Sequence, residues 1–252
     1  MRAALLLLAC LAALPASAEE IVARLSQTRV AITTSFAGSE IFIYGAVSRT
    51  APPPGETPLD VIVAVTGPAE PVIVRRKVRR AGIWVNDEGV QVDAAPSFYA
   101  VATTRPFRKV VSHVEDLRYR IGIDHAVRLI GDPGDTAYPE DRRRAVIRLR
   151  RDAGLYVEQP GAVRVTGETL FETSIALPSQ LVEGDYRARV FLLREREVID
   201  RFEDTIAVRR VGLERWIYLM AQEQSALYGI LSISVALAAG WAASALFRLL
   251  LP

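Results

Sequence analysis

Cysteine is almost missing from this 252-residue chain; the single copy, Cys10, lies in an apolar run at the start. Beyond that run the chain cannot form a disulfide, a thiol nucleophile, a Cys-ligated zinc site or an iron–sulfur cluster from its own residues. Histidine is nearly as scarce, with two copies, His113 and His125, twelve positions apart. Helical metal sites place histidines at i and i+4 or gather them with other ligands, and this spacing does neither. No Gly-x-Ser-x-Gly turn presents a serine. Ser112, His113 and Asp116 supply the residue types of a serine triad, but neighbours on one helix cannot reach its geometry. Asp132-Pro133-Gly134-Asp135 lacks the alternating ligands and distal glutamate of a calcium loop. The expectation is a protein that is not an enzyme and holds no metal or cofactor. An envelope hydrolase built on one of the histidines is kept as an alternative.

A charge imbalance is lacking too. Lys and Arg number 31 against 29 Asp and Glu, and setting aside Arg2 and Arg248 in the terminal segments leaves 29 of each sign. A neutral body excludes the usual nucleic-acid binder, which needs a basic face and a clearly positive charge.

What the sequence does have is a long apolar run at each end. Arg2, then Ala3 to Leu14, then Pro15-Ala16-Ser17-Ala18 read as a signal peptide over 1–18, cleaved before Glu19. Leu7-Leu8-Ala9-Cys10 is a poor lipoprotein box, since Leu8 is bulky for its place. Near the other end, Ala226 to Phe247 carries no charge. At ~1.5 Å per residue it spans roughly 30 Å, the thickness of the hydrocarbon core. Only a helix lets a lone segment satisfy its backbone in lipid, so 226–247 is expected to cross the membrane. A helix from about Leu213 should run into it, as a juxtamembrane segment over 211–225. The short 248–252 tail with Arg248 would be cytoplasmic, which puts the body in the periplasm and the anchor in the inner membrane. Within the anchor, Ser232, Ala236, Gly240 and Ser244 recur every four residues. A stripe of small residues lets a second helix approach closely, and packing drives helix association in lipid. The expected partner is another membrane protein or a second copy of the chain.

Between the two runs the pattern is mainly β. Ile41–Val47 and Val61–Val65 are short apolar runs rich in β-branched residues and bounded by Gly and Pro, as in a sandwich core. An immunoglobulin-like sandwich region is expected over 19–104, with a loop at Pro52-Pro53-Pro54-Gly55. A helical insertion follows over 105–154, with Val110, Val114, Leu117 and Ile121 as one stripe and Val146, Leu149 and Ala153 as another. A C-terminal β region spans 155–210, which either completes the first sandwich or forms a smaller lobe. Within it Tyr186, just after the Glu183-Gly184 turn, stands where a tyrosine corner would.

Several stretches together resemble the alphaproteobacterial transmembrane protein family: Phe36-x-Gly38 with the Ile41–Gly45 strand, Gly82-Ile83-Trp84-Val85-Asn86, Leu170-Phe171 with Leu177-Pro178, Gly184-x-Tyr186, Tyr228-Gly229, and Gly240-Trp241 with Phe247-Arg248. The resemblance implies an exported domain with one C-terminal anchor and no assigned activity. It also implies a small-anion permease, of the sulfite-exporter type, as a neighbour. The family lends no catalytic motif.

Two basic runs complete the candidates. On a strand, Arg75, Lys77 and Arg79 share a face with Ile73. A charge-guarded edge strand is one reading, and a face that captures an anion or partner is the other. Arg144, Arg148 and Arg151 line one helix face at i, i+4 and i+7. They form either the wet side of the helix or a contact for an acidic partner. Trp84 is expected to pack against the sheet. The leading expectation is an accessory or scaffold subunit of a membrane complex; the alternative to it, besides the hydrolase, is a periplasmic anion-binding or sensing module.

Overall fold

The computed structural model describes residues 19–33, 36–49, 57–75, 77–86, 90–127, 139–167 and 169–250. The signal peptide, the Pro52–Gly55 loop and the Asp132–Asp135 loop expected from the sequence lie outside these residues. The chain forms two units, one made by residues up to Val30 and from Phe36 to Val208, the other by 31–35 and 209–252.

The first unit is built on two sheets. β1 (Glu19–Leu25), β3 (Ser39–Arg49), β12 (Leu170–Leu177) and β11 (Arg164–Thr166) form a four-stranded antiparallel sheet in the order β1-β3-β12-β11. β1 buries Ile21, Ala23 and Leu25 and exposes the residues between them. This is the period of a strand with one wet face. Gly45 of β3 stands where strands and core close up: a Cβ there would lie 2.6 Å from both Phe171 Cζ and the Val22 carbonyl oxygen.

β10 (Tyr156–Pro160), β9 (Tyr99–Thr103), β4 (Asp60–Thr66), β13 (Gly184–Arg194), β14 (Glu197–Arg210) and β2 (Arg29–Ile32) form the second sheet, in that order. Its centre is buried on both faces, which is why Val61–Val65 reads as a continuous apolar run. Ile62, Ala64, Tyr99, Val101, Phe191 and Leu193 point into a core shared with the helices. Alternation sends Val61, Val63 and Val65 to the opposite face, where β4 and β9 pack on β12 of the other sheet. The late strands are thus interleaved with the early ones in both sheets. They complete the first sandwich and form no separate lobe.

The helices lie between β9 and β10: α1 (Phe107–Val110), α2 (His113–Tyr119), α3 (Ile123–Ala126) and α4 (Pro139–Asp152). β9 and β10 pair in parallel, which requires a crossover connection. The helical segment is that crossover. A parallel pair is foreign to the antiparallel immunoglobulin sandwich, so the mainly β layering matches the expectation while this part of the topology does not.

The expected stripe Val110, Val114, Leu117 and Ile121 does not form. Val110 and Ile121 are buried, but Val114 and Leu117 are 63% and 49% exposed. Two signals break the period. Ser112 caps a new helix by accepting from the Glu115 N–H (3.3 Å), and Arg120 ends it in the left-handed region at φ 50°. α2 instead buries Glu115 and Asp116. Both acids are satisfied: Glu115 accepts from the Val198 N–H (3.2 Å) and pairs with Arg118 (2.6 Å), and Asp116 accepts from the Gly122 N–H (2.6 Å). On α4, Val146 and Ile147 face inward while Leu149 is exposed.

Tyr186 behaves as the sequence suggests: fully buried, it donates its hydroxyl to the Val182 carbonyl (2.9 Å). The basic run does not. β5 (Ala69–Val74) pairs with β8 (Val90–Pro96), and β6 (Lys77–Arg80) pairs with β7 (Ile83–Asn86), so the run is one strand of a long hairpin. Its turn residues Ala81 and Gly82 have φ 50° and 86°, as a two-residue hairpin turn of the favoured twist requires. Trp84 is 67% exposed, against the expectation that it packs. A two-stranded ribbon has no second layer to bury it.

The second unit holds α5 (Leu213–Glu223) and α6 (Ser225–Leu250). The single helix expected from Leu213 onward is divided at Gln224, which leaves helical geometry at φ −135°, ψ 54°. Its N–H still closes on Met220 O, and its carbonyl accepts from Tyr228 N–H, both at 3.0 Å. The break costs no hydrogen bond at that residue. The apolar stretch of α6, Ser225–Ala245, has mean hydropathy 1.7 and none of it is buried within the chain.

Candidate functional site

The first unit carries two clefts beside the helical layer. One, of about 330 Å³, is lined by Arg108, Ser112, His113, Asp116, Arg151 and Arg196 among others. Of the two histidines only His113 lines this cleft, while His125, its ring centroid 6.1 Å away, lines the other. His125 Nδ1 lies 3.1 Å from Asp116 Oδ2, but the ring is turned so that no hydrogen bond forms along that line. Asp116 is occupied in holding the α2–α3 turn, for its carboxylate sits against Gly122 where a Cβ would be only 2.9 Å away. The Ser112 hydroxyl is engaged with the Glu115 N–H. Among the described residues no cluster of three or more His, Cys, Asp or Glu suits a metal ion.

The other cleft, about 480 Å³, was not visible in the sequence. Arg118 and Arg120 reach it from the end of α2, and Arg187, Arg189 and Arg201 from β13 and β14. Register explains the gathering. Arg189 lies opposite Glu203 and Phe191 opposite Arg201, so these side chains share the sheet face that the helices cover. The end of α2 and His125 and Ala126 of α3 wall the opening on the helical side, and the arginines line it.

Arg189 sits at its base. One end of its guanidinium donates to the Tyr119 carbonyl (2.8 Å), the other to the Arg120 carbonyl and the Tyr99 hydroxyl (both 3.1 Å). It also lies 5.4 Å over the Phe191 ring. Tyr99 donates in turn to Ile121 O (2.8 Å), and burial holds its hydroxyl above the ordinary phenol range. Arg201 stands 5.9 Å over the Tyr119 ring.

The residues singled out in the sequence fall in four places. Arg75, Lys77 and Arg79 are on the hairpin, where Lys77 pairs in register with Asn86 and Arg79 with Trp84. Arg144 and Arg148 lie on the exposed face of α4, and Arg151 reaches the histidine cleft, 3.8 Å from Glu158. Ser232, Ala236, Gly240 and Ser244 are all exposed on α6. His113 and His125 meet across α2 and α3. None of the named basic residues reaches the arginine cleft. The only signal for that cleft was the alternation Arg187-x-Arg189-x-Phe191, which cannot be assigned to a face until the register is known.

A family model described as "Putative transmembrane protein" matches residues 20–249. Comparison with curated proteins finds no match. Among solved structures, the sporulation control protein Spo0M of Bacillus subtilis is similar over 82% of this chain and 55% of that one, at 11% identity and a TM-score of 0.29. The chain thus spans about half the length of that structure, and a likeness at this level carries no argument about function.

Proposed function

The chain belongs to the alphaproteobacterial transmembrane protein family whose model covers residues 20–249, and from that premise we propose a single-pass subunit of the inner membrane that acts without catalysis, as an accessory or scaffold to another membrane protein or a second copy of itself. The β body stands in the periplasm and α6 provides the contact.

The observation that carries this reading is Gly240. It lies well inside α6, and a Cβ there would meet nothing within 4 Å among the described residues. No packing among the described residues requires glycine at that point, while glycine inside a helix costs about 1 kcal/mol relative to alanine in water. Close approach by a second helix supplies the reason. Ser232, Ala236 and Ser244 extend the same low ridge, and the Ser232 hydroxyl is satisfied on its own helix by the Tyr228 carbonyl (2.8 Å). That serine can therefore face a neighbour without demanding a polar partner.

Native affinity purification from membranes tests the proposal. Wild type should recover a defined membrane partner or a second copy, and Gly240→Leu should lose it while still fractionating with the membrane. Recovery of the same partner by both proteins, or of none by wild type, contradicts the reading.

A further inference from the structure

We propose that the arginine cleft of the first unit is a binding site for a small organic polyanion, one that carries phosphate or carboxylate groups on an apolar or ring-shaped body. The proposal stands on the β body alone and is independent of what α6 contacts.

Charge is the first argument. Five arginines line the cleft, against the carboxylates of Asp185 and Glu203. Two of the five are partly matched: Arg118 is held by Glu115 at 2.6 Å, and Arg187 lies 4.0 Å from Glu203. Among the described residues Arg120, Arg189 and Arg201 form no ion pair with a carboxylate. In a body whose charges balance, five arginines against two carboxylates in one concavity, three of the arginines unpaired by any described carboxylate, make a local positive field.

Placement is the second. Arg189 is half-buried, and the oxygens it donates to, the Tyr119 and Arg120 carbonyls and the Tyr99 hydroxyl, are neutral. These bonds fix its orientation without cancelling its charge. The Tyr99 hydroxyl beneath it is held neutral by burial and is committed to the Ile121 carbonyl. Arg201, over Tyr119, and Arg120, presented by its left-handed backbone at the end of α2, are exposed where an incoming group would meet them. Planar guanidiniums grip carboxylate or phosphate oxygens in pairs, which a point charge cannot do.

Size and lining choose the ligand class. The cleft measures about 480 Å³. That falls in the range of roughly 300–1,000 Å³ typical of small-molecule sites and is far more than a bare inorganic anion fills. Tyr119 and Phe191 add aromatic wall to the cationic rim. A ligand with two or more charges and an apolar body uses both, whereas inorganic phosphate uses only the rim.

The test is calorimetric titration of the full chain in zwitterionic detergent at fixed ionic strength, with phenyl phosphate, citrate and inorganic phosphate as probes. Phenyl phosphate or citrate should bind saturably at one site per chain, at least about tenfold tighter than inorganic phosphate. Binding of the first alone assigns the ester, of the second alone the polycarboxylate. Arg120→Gln and Arg201→Gln should each weaken that binding about tenfold or more, and Arg148→Gln, on the exposed face of α4, should leave it unchanged. Circular dichroism of each variant confirms that it is folded. The proposal is overturned if neither organic probe binds wild type, if inorganic phosphate binds as tightly, if R120Q and R201Q bind like wild type, or if R148Q weakens binding equally.

Discussion

The Arg189 guanidinium donates to the Tyr99 hydroxyl at 3.1 Å, so a cation on β13 rests on a phenol of β9, one strand beyond their common neighbour β4. That phenol also donates to Ile121 O (2.8 Å), which ties the end of the α2 segment to the sheet. Tyr99→Phe keeps the ring and removes both bonds. We expect a loss of about 1–3 kcal/mol, because the Ile121 carbonyl and one guanidinium N–H lose a buried partner. Urea unfolding of the two proteins checks this; equal midpoints would remove Tyr99 from the account of how the helical layer is held.

Tyr99, Tyr156 and Tyr186 are all shifted above the ordinary value of 10.0, chiefly by burial. The unfolded chain therefore ionises these phenols first. Their contribution is fully present below about pH 10 and is lost as pH rises above it, at up to about 1.4 kcal/mol per pH unit for each. Denaturant midpoints measured from about pH 8 to 11 should be flat at first and then fall. Tyr156→Phe should make that fall shallower; an unchanged slope would contradict the assignment.

Glu19 and Arg194, 4% and 8% exposed at their side chains, meet at 2.8 Å, and Arg49 reaches the same Glu19 oxygen at 2.8 Å. Removing one member of a buried pair leaves an uncompensated charge. Glu19→Ala should cost about 3–5 kcal/mol. The measurement is the urea midpoint, and a loss below 1 kcal/mol would show that the two arginines find other partners.

Gly45→Ala places a methyl group 2.6 Å from Phe171 Cζ and from the Val22 carbonyl oxygen. Overpacking of this kind costs about 1–3 kcal/mol. Trp84→Ala, despite the size of the change, should move stability by less than about 0.5 kcal/mol, since the indole is exposed on the hairpin. Thermal melts of the two variants side by side should separate them clearly. A reversed order would mean that Trp84 is packed and that β3 can relax.

How much of this was legible before the structure depends on the range of the interactions involved. The anchor was readable because Ala226–Phe247 is a local property of composition. The Tyr186 corner was readable because its partner, Val182, is four residues away. The α2 region misled because Val110, Val114, Leu117 and Ile121 have helical spacing, yet Ser112 and Arg120 cut that spacing into pieces. Its buried residues are the charged Glu115 and Asp116, and Glu115 is satisfied by Val198, which is distant in sequence. Trp84 misled because hydrophobicity alone does not say whether a second layer exists. The arginine cleft was illegible for a related reason. Arg120, Arg189 and Arg201 come together only through the pairing of β13 with β14 and the end of α2.

The central claim is that α6 meets a second helix along the face of Ala236 and Gly240. Photo-cross-linking in native membranes tests it most directly, with a photoreactive side chain placed in turn at Ala236, Gly240 and Ala238, the last lying on the opposite side of a helix of 100° per residue. The account predicts a discrete cross-linked product from positions 236 and 240 and none from 238. Equal products from all three positions, or none from any, would contradict it.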